Sequence, residues 1–399
     1  HLSTYFSPYN HLIGEAAALH LIGSLFSNLP KGKKWENLGW NILVDQVEKQ
    51  FYPDGFTVEQ AAFYHHFTLG FYLQSIFLRL NNKKSVPAKV LKRIENALNI
   101  SMFLTQPDGT MPMLGDVDNA RSLCFSLKHS WDFRGFLALG AALFSRSDFK
   151  QQAQGKCEEL LWLCDDQMLR NFENLQEKMP EKSFCLFPHS GYYISRTEWD
   201  QKNHYTCMDF GPIAEGLYSD NTPSAAHGHA DGLSIILSAY GKQFLVDGGL
   251  SCYFGNYQQH SFFRKEEAHN TVVLGSYRQA KYCRPLTWSE IKSPQLDHVD
   301  YNDEYELVSG SIHYSNYDKH QRSVIILKDG LWIIKDLIRV GSSKTKIKSY
   351  FHFHPDIELN INKKKQEIVA TYNNIELIFR YFRESKVVAE KGGAKVSQG

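Results

Sequence analysis

Charge of one sign is what this chain most obviously lacks. Its 44 lysines and arginines face 43 aspartates and glutamates over 399 residues, a formal net charge of +1. That excludes a nucleic-acid binder of the strongly basic kind, while leaving room for a local basic cleft that takes an acidic ligand. The chain has no CxxC pair, and its seven cysteines, an odd number, are scattered from Cys124 to Cys283. A disulfide scaffold is not expected; reduced core thiols are. No apolar run approaches the length of a membrane span, and no internal repeat is visible. The chain begins at His1 with no signal peptide visible in it and stops abruptly at Gly399, so both ends read as truncated and export is not legible.

What is present is aromatic and long. Tyrosine (21) and phenylalanine (26) are abundant, which suits large cores and also suits clefts where sugar faces stack on rings. The length exceeds one ordinary core and points to two domains. Up to about residue 180 the apolar spacing is helical. Leu12, Ala16, Leu19, Ile22 and Leu25 mark one helical face over 10–27. Further helices are expected over 35–51, 86–104, 131–146 and 149–169, and another starts at Thr57, with Gln60 completing a capping box. Short connections between them imply antiparallel helical hairpins. The polar stretch Asn171–Ser183 is the expected boundary, giving a helical domain over 1–183 and a strand domain over 184–399. Beyond it the period changes to two. Strands are expected over 190–196, 203–210, 232–240, 243–248, 271–275, 305–313, 321–328, 331–338 and in four further segments up to 381. Leu327-Lys328-Asp329-Gly330-Leu331 reads as a hairpin turn. So many strands without helices imply an antiparallel β-sandwich.

The most informative stretch is His227-Gly228-His229-Ala230-Asp231, which opens the apolar strand Leu233-Ser234-Ile235-Ile236-Leu237. Two imidazoles one residue apart lie on one side of an extended backbone. With Asp247 of Val246-Asp247-Gly248-Gly249 and His269 of Ala268-His269-Asn270-Thr271 they can form a metal site, a catalytic pocket, or both; a lone H-x-H is more simply a pair of hydrogen-bonded histidines. If Gly241-Lys242 is the hairpin turn, Asp247 pairs near Ile236, so the metal site requires the segment before Leu233 to fold back over the sheet. In the helical region Asn10 alone reads as an N-cap, and Tyr64 as an interhelical aromatic. Asp116, Asp118 and Arg121 read as a structural ion-pair and capping cluster. Arg264, Lys265, Arg278, Lys281 and Arg284 either line a cleft for a polyanion or form a solvated basic surface. Tyr253, Phe254, Tyr257, Phe262 and Phe263 form an aromatic loop suited to sugar stacking or to packing.

Taken in order, Asn10-His11, Pro53-Asp54-Gly55 with Glu59 and Tyr64, Gly115-Asp116-Val117-Asp118 with Arg121, then His227-x-His229-x-Asp231, Asp247-Gly248-Gly249 and Ala268-His269-Asn270-Thr271 resemble the heparinase II/III-like polysaccharide lyases and the related alginate lyases. The late Ser349–Pro355 strand is similar to theirs, and the usual Asp-Pro-Gly stands here as Asp247-Gly248-Gly249. The resemblance implies an incomplete (α/α) toroid followed by an antiparallel β-sandwich, the toroid here short by its first helices. It implies that Asn10 neutralises a substrate carboxylate with His11 beside it, that Tyr64 and His227 are catalytic, and that His229, Asp247 and His269 bind Zn2+. It further implies an acidic polysaccharide substrate, β-elimination to a 4,5-unsaturated end, and a periplasmic or secreted setting; of the basic residues, Arg264, Arg278 and Lys281 are the candidate contacts to that polyanion. Two other classes stay open. A toroid glycoside hydrolase has Asp54, Glu59, Asp116 and Asp118 available as its two carboxylates. A non-catalytic carbohydrate-binding or surface-polysaccharide assembly protein needs none of them.

Overall fold

The computed structural model describes residues 8–125, 131–213, 224–225, 227–253, 256–341, 345–382 and 386–390. Helices Asn10–Leu25 and Gly32–Gln50 form the first antiparallel hairpin, and Ala62–Asn81 packs on the first of them. The hairpin closes tightly because Gly39 has no side chain: a Cβ there would lie 2.3 Å from the Ala16 carbonyl oxygen. Ala88–Leu104, Arg134–Phe144 and three short helices, Ser147–Ala153, Glu158–Leu163 and Asp166–Asn174, complete the helical region. It is the partial (α/α) toroid that the resemblance implied, built from the helical hairpins that the spacing implied.

Two helix expectations fail for local reasons. The stretch 149–169 is not one helix. Gln154 and Gly155 both take positive φ, and Asp165 caps a new helix by accepting from the Met168 N–H. Thr57 is not an N-cap either, since the helix carrying Tyr64 starts at Ala62. Gln60 sits at φ +51, and its side-chain amide is engaged with the Ser190 carbonyl and the Tyr192 hydroxyl, so no capping box closes.

Strands begin at Phe184. A five-stranded antiparallel sheet runs Phe184–Phe187, Tyr192–Arg196, Tyr205–Asp209, Ile235–Ala239, Lys242–Leu245. A four-stranded meander follows: Gln295–Tyr301, Tyr305–His313, Lys319–Leu327 and Leu331–Arg339. Gly330, at φ +90, makes the expected hairpin between its last two strands. The two sheets sandwich Tyr193, Met208, Ile235, Leu237, Val308 and Val324. The opposite face of the first sheet, including Tyr192, Ile194, Tyr205, Cys207 and Ile236, joins the core of the helical region. The three central strands of that sheet are therefore buried on both faces along their whole length. The last two meander strands alternate in burial instead, as a one-sided sheet requires.

The strand region is not helix-free. Tyr257–Phe263, inside the aromatic loop, is a short helix capped by the Asn256 side chain. Short strands at Phe184–Phe187, Lys281–Arg284 and Thr287–Ser289, and the longer Gln295–Tyr301, lie outside the strand segments expected from period alone. Cys157, Cys164 and Cys207 are buried as expected of core thiols, but Cys124 and Cys283 are exposed.

Candidate active site

Two backbone hydrogen bonds seat His227 against the helical region, and a third fixes the loop they meet. The His227 N–H donates to the Glu59 carbonyl (3.2 Å), the Asp116 N–H donates to the His227 carbonyl (2.8 Å), and the Ala62 N–H ties the Tyr64 helix to Leu114 beside that loop (3.0 Å). Gly228 is the residue that permits this fit, because a Cβ there would sit 1.7 Å from the Ile213 carbonyl oxygen.

Side chains then converge from both regions. The His227 and Tyr64 rings stack at 3.5 Å between centroids and 5° between planes. The Tyr64 hydroxyl shares a 2.7 Å hydrogen bond with that of Tyr253, which also lies 3.4 Å from His227 Nδ1. His227 Nδ1 bonds Asp116 Oδ2 at 2.8 Å, and its Nε2 lies 3.5 Å from Glu59 Oε2. Asn10 Nδ2 donates to that same Glu59 oxygen at 2.7 Å, so Asn10, the first helical residue, does not cap its helix through its side chain. Burial raises the Glu59 pKa, outweighing the nearby His227 and the Asn10 hydrogen bond. Burial also raises the Tyr64 phenol, although the Tyr253 hydrogen bond opposes it.

Asp116 occupies the centre. It is fully buried and accepts from His227 through one oxygen and from His229 Nε2 through the other (2.8 Å), with Arg264 Nε at 3.5 Å. Burial opposes its ionisation, but Arg264 and the two imidazoles overcome that and hold its pKa well below the carboxylate range. Of the expected structural ion-pair and capping cluster, Asp118 caps the N–H groups of Asn119 and Ala120, whereas Asp116 points inward to Arg264 and the two imidazoles.

His229, Asp247 and His269 come together, with one ligand atom from each within 4.8 Å of the others. The segment before Leu233 does turn back: Leu233 takes φ +62 and the Ser234 N–H closes on the Asp231 carbonyl. His269 Nδ1 bonds Asp247 Oδ2 at 2.7 Å, while His229 Nδ1 and His269 Nε2 are buried with no hydrogen-bond partner. Two orphaned imidazole nitrogens beside a carboxylate, one ring braced from behind by Asp116, fit a divalent metal. Burial opposes a His269 cation, but Asp247 outweighs it and lifts the pKa to about 9. Burial lowers His229 to about 4.

Two expected positions are corrected. His11 does not join Asn10. Successive helical residues point about 100° apart, and His11 is exposed while Asn10 is buried. Arg264 is no cleft cation. It is fully buried, pairs with Asp116 and lies over the Trp288 and Tyr282 rings. Arg278 and Lys281 are exposed, but each already meets a carboxylate, Glu267 at 2.9 Å and Glu290 at 3.2 Å. They line an open depression of about 820 Å³ whose walls do not include Tyr64 or His227. Phe254 and the Arg284 side chain lie outside the described residues. The partners of Glu59 and Tyr253 and the true place of Asp116 are what sequence reasoning missed. Glu59 stood inside a quoted motif, and only its partners were hidden.

A partial helical toroid joined to an antiparallel sandwich, with a Tyr–His pair at the junction and a histidine–carboxylate triad behind it, defines a recognisable class. The chain belongs to the heparinase II/III-like family: residues 179–396 match the heparinase II/III-like C-terminal domain, and residues 1–132 match the heparinase II/III N-terminus. It is 24% identical over 400 residues to a heparin-sulfate lyase of Bacteroides thetaiotaomicron, covering 96% of this chain and 52% of that protein. Identity to the Pedobacter heparinus heparin-sulfate lyase is 23%, covering 94% of this chain and 51% of that one. The fold matches the crystal structure of heparinase III with a TM-score of 0.75 at 20% identity, over 96% of this chain and 55% of that one. It matches the heparan sulfate lyase of Pedobacter heparinus with a TM-score of 0.71 at 19% identity, over 96% and 54%. The chain therefore spans about half the length of the relatives it matches.

Proposed function

We propose that this chain carries the catalytic centre of a polysaccharide lyase that cleaves a uronic-acid-containing polymer by β-elimination. The observation that carries this reading is the stacking of Tyr64, from the helical region, on His227, from the strand region. The names of the relatives make heparan-type glycosaminoglycan the first polymer to test.

Removing the C5 proton of a uronic acid builds charge next to an existing carboxylate. The site must offset that charge and supply a base. With Nδ1 hydrogen-bonded to Asp116, His227 has Nε2 available to take the proton. As the C4–O bond breaks, the Tyr64 hydroxyl, kept protonated by burial, gives its proton to the leaving oxygen and a 4,5-unsaturated end remains. Asn10 has a second amide N–H for the substrate carboxylate. Burial raises the pKa of Glu59 and so works against a second negative charge beside it. General acid–base work of this kind contributes roughly a hundred- to ten-thousand-fold.

His229, Asp247 and His269 would hold Zn2+, which in this reading braces the strand-side wall of the site. Arg278 and Lys281 are proposed as outer contacts to the polyanion, in competition with their glutamates. The boundary between domains is proposed at 183/184, supported by a last helix ending at Asn174 and a first strand starting at Phe184. A hydrolase reading has less support. Asp54 is bound to the N–H groups of His189 and Ser190, Asp118 to its own loop, and Glu59 and Asp116 both to His227.

The test is ultraviolet absorbance during incubation with heparan-type, alginate-type and exopolysaccharide uronides. A rise with one polymer, absent in Tyr64→Phe, is the expected result. Wild-type turnover by Tyr64→Phe would sink the assignment, and new reducing ends without absorbance would mean hydrolysis.

A further inference from the structure

We infer that Asp116 is a positioning residue that sets the ring orientation and tautomer of His227 and His229 together, so that the metal triad and the base depend on one carboxylate; the part concerning the base rests on the lyase reading above. An ionised carboxylate only accepts. Asp116 Oδ2 therefore takes the Nδ1–H of His227, and Oδ1 takes the Nε2–H of His229. Each bond fixes which nitrogen keeps a lone pair. In His227 it is Nε2, which faces Glu59 and the Asn10 side. In His229 it is Nδ1, which is buried without a hydrogen-bond partner and belongs to the triad with Asp247 and His269.

The two rings differ in their other supports. His227 is also stacked on Tyr64 and lies near Tyr253. His229 is fully buried, and Asp116 is its only hydrogen-bond partner among the described residues. Arg264 keeps the shared carboxylate charged from within the strand region, and donates to the Gly228 carbonyl between the two histidines. Asp116 itself arrives from the helical region, with its backbone N–H on the His227 carbonyl. One residue thus links the helical region to both functions of the H-x-H segment.

An asparagine at this position has one accepting oxygen and an N–H2 group, so it satisfies one ring as it stands and forces the other to turn. Three readouts on wild type, Asp116→Asn and Asp116→Glu test this: Co2+ affinity from visible absorption, kcat and KM on whichever uronide the wild type cleaves, and the ring 1H–15N signals of His227, assigned with His227→Gln. The expected result for Asp116→Asn is a fall of about 10- to 100-fold in Co2+ affinity, the usual cost of losing a ligand's supporting partner. A comparable fall in kcat with KM unchanged is expected beside it. Glutamate should rescue part of both. A variant that keeps both, or loses only one of them, would overturn the shared role. If the variants do not fold, the wild-type spectrum decides: neutral His227 protonated at Nδ1 supports the inference, and protonation at Nε2 overturns it. If no polymer is cleaved, the lyase reading fails, while Co2+ affinity and the His227 tautomer still judge Asp116.

Discussion

The helical core and the candidate site on the strand side bury histidine in opposite ways. In the helical region His20 is fully buried against Trp40 with neither ring nitrogen hydrogen-bonded, His65 stacks on Phe56, and His66 stacks on Phe133. Burial depresses all three pKa values, to about 4 for His20 and about 3 for His66. They are packing residues that stay neutral. In the strand region His227 and His229 face Asp116, and His269 faces Asp247. There the same side chain is set against charge, where it can exchange protons or take a metal. His65 and His66 directly follow Tyr64 in the chain, yet turn into the helical core. Proximity in sequence to a candidate catalytic residue is a poor guide to chemistry; the facing carboxylate is a better one.

The largest test of this contrast is Arg264→Met, which leaves Asp116 buried without its cation. Loss of one partner of a buried pair costs about 3–5 kcal/mol, so the unfolding midpoint in urea should fall sharply. An unchanged midpoint would mean that the strand-side charges are not coupled. Next comes acidification of the helical region. Unfolded histidine binds a proton below about 6.5, whereas folded His20 resists until about 4. The unfolded state therefore gains protons first, and stability is lost as pH falls across that window, by roughly 3 kcal/mol for one such residue. His20→Leu should flatten the dependence of the unfolding midpoint between those limits, and an equally steep profile in the variant would remove His20 from the account. Zn2+ should act on the strand side alone. At a hundredfold excess over Kd it adds about 2.7 kcal/mol, and His269→Ala should abolish that gain while His20→Leu preserves it, as thermal unfolding with and without a chelator would show. The smallest effect is Lys281→Ala. Its pair with Glu290 is exposed, so stability should move by less than about 0.5 kcal/mol. A larger change would mark that pair as structural.

Much of the architecture was legible because it rests on period. The switch from 3.6 to 2 separates the helices ending at Asn174 from the strands starting at Phe184, and Tyr305–His313 matches its expected span. The failures came where long-range contacts overrule local signals. Thr57 and Gln60 look like a capping box, but Gln60 is drawn to Ser190 and Tyr192. Asn10-His11 look like a pair, but helical geometry parts them. Arg264 sits in a basic stretch, yet Asp116, far away in the chain, draws it inside.

By itself the sequence determined the two periods, the family motifs and the residue types available to a site: His227, His229, Asp247 and His269 on strand signals, Tyr64 on a helix. These follow from side-chain chemistry and from spacing within one element. Only the tertiary structure decided that Asp116 serves two imidazoles, that Glu59 joins Asn10 to His227, and that Tyr253 meets Tyr64. Those partners are tens to more than a hundred residues apart. No local propensity specifies which buried carboxylate meets which imidazole. That is set where the sheet, its central strands buried on both faces, docks on the helices, and where each buried charge must find a partner because water is absent.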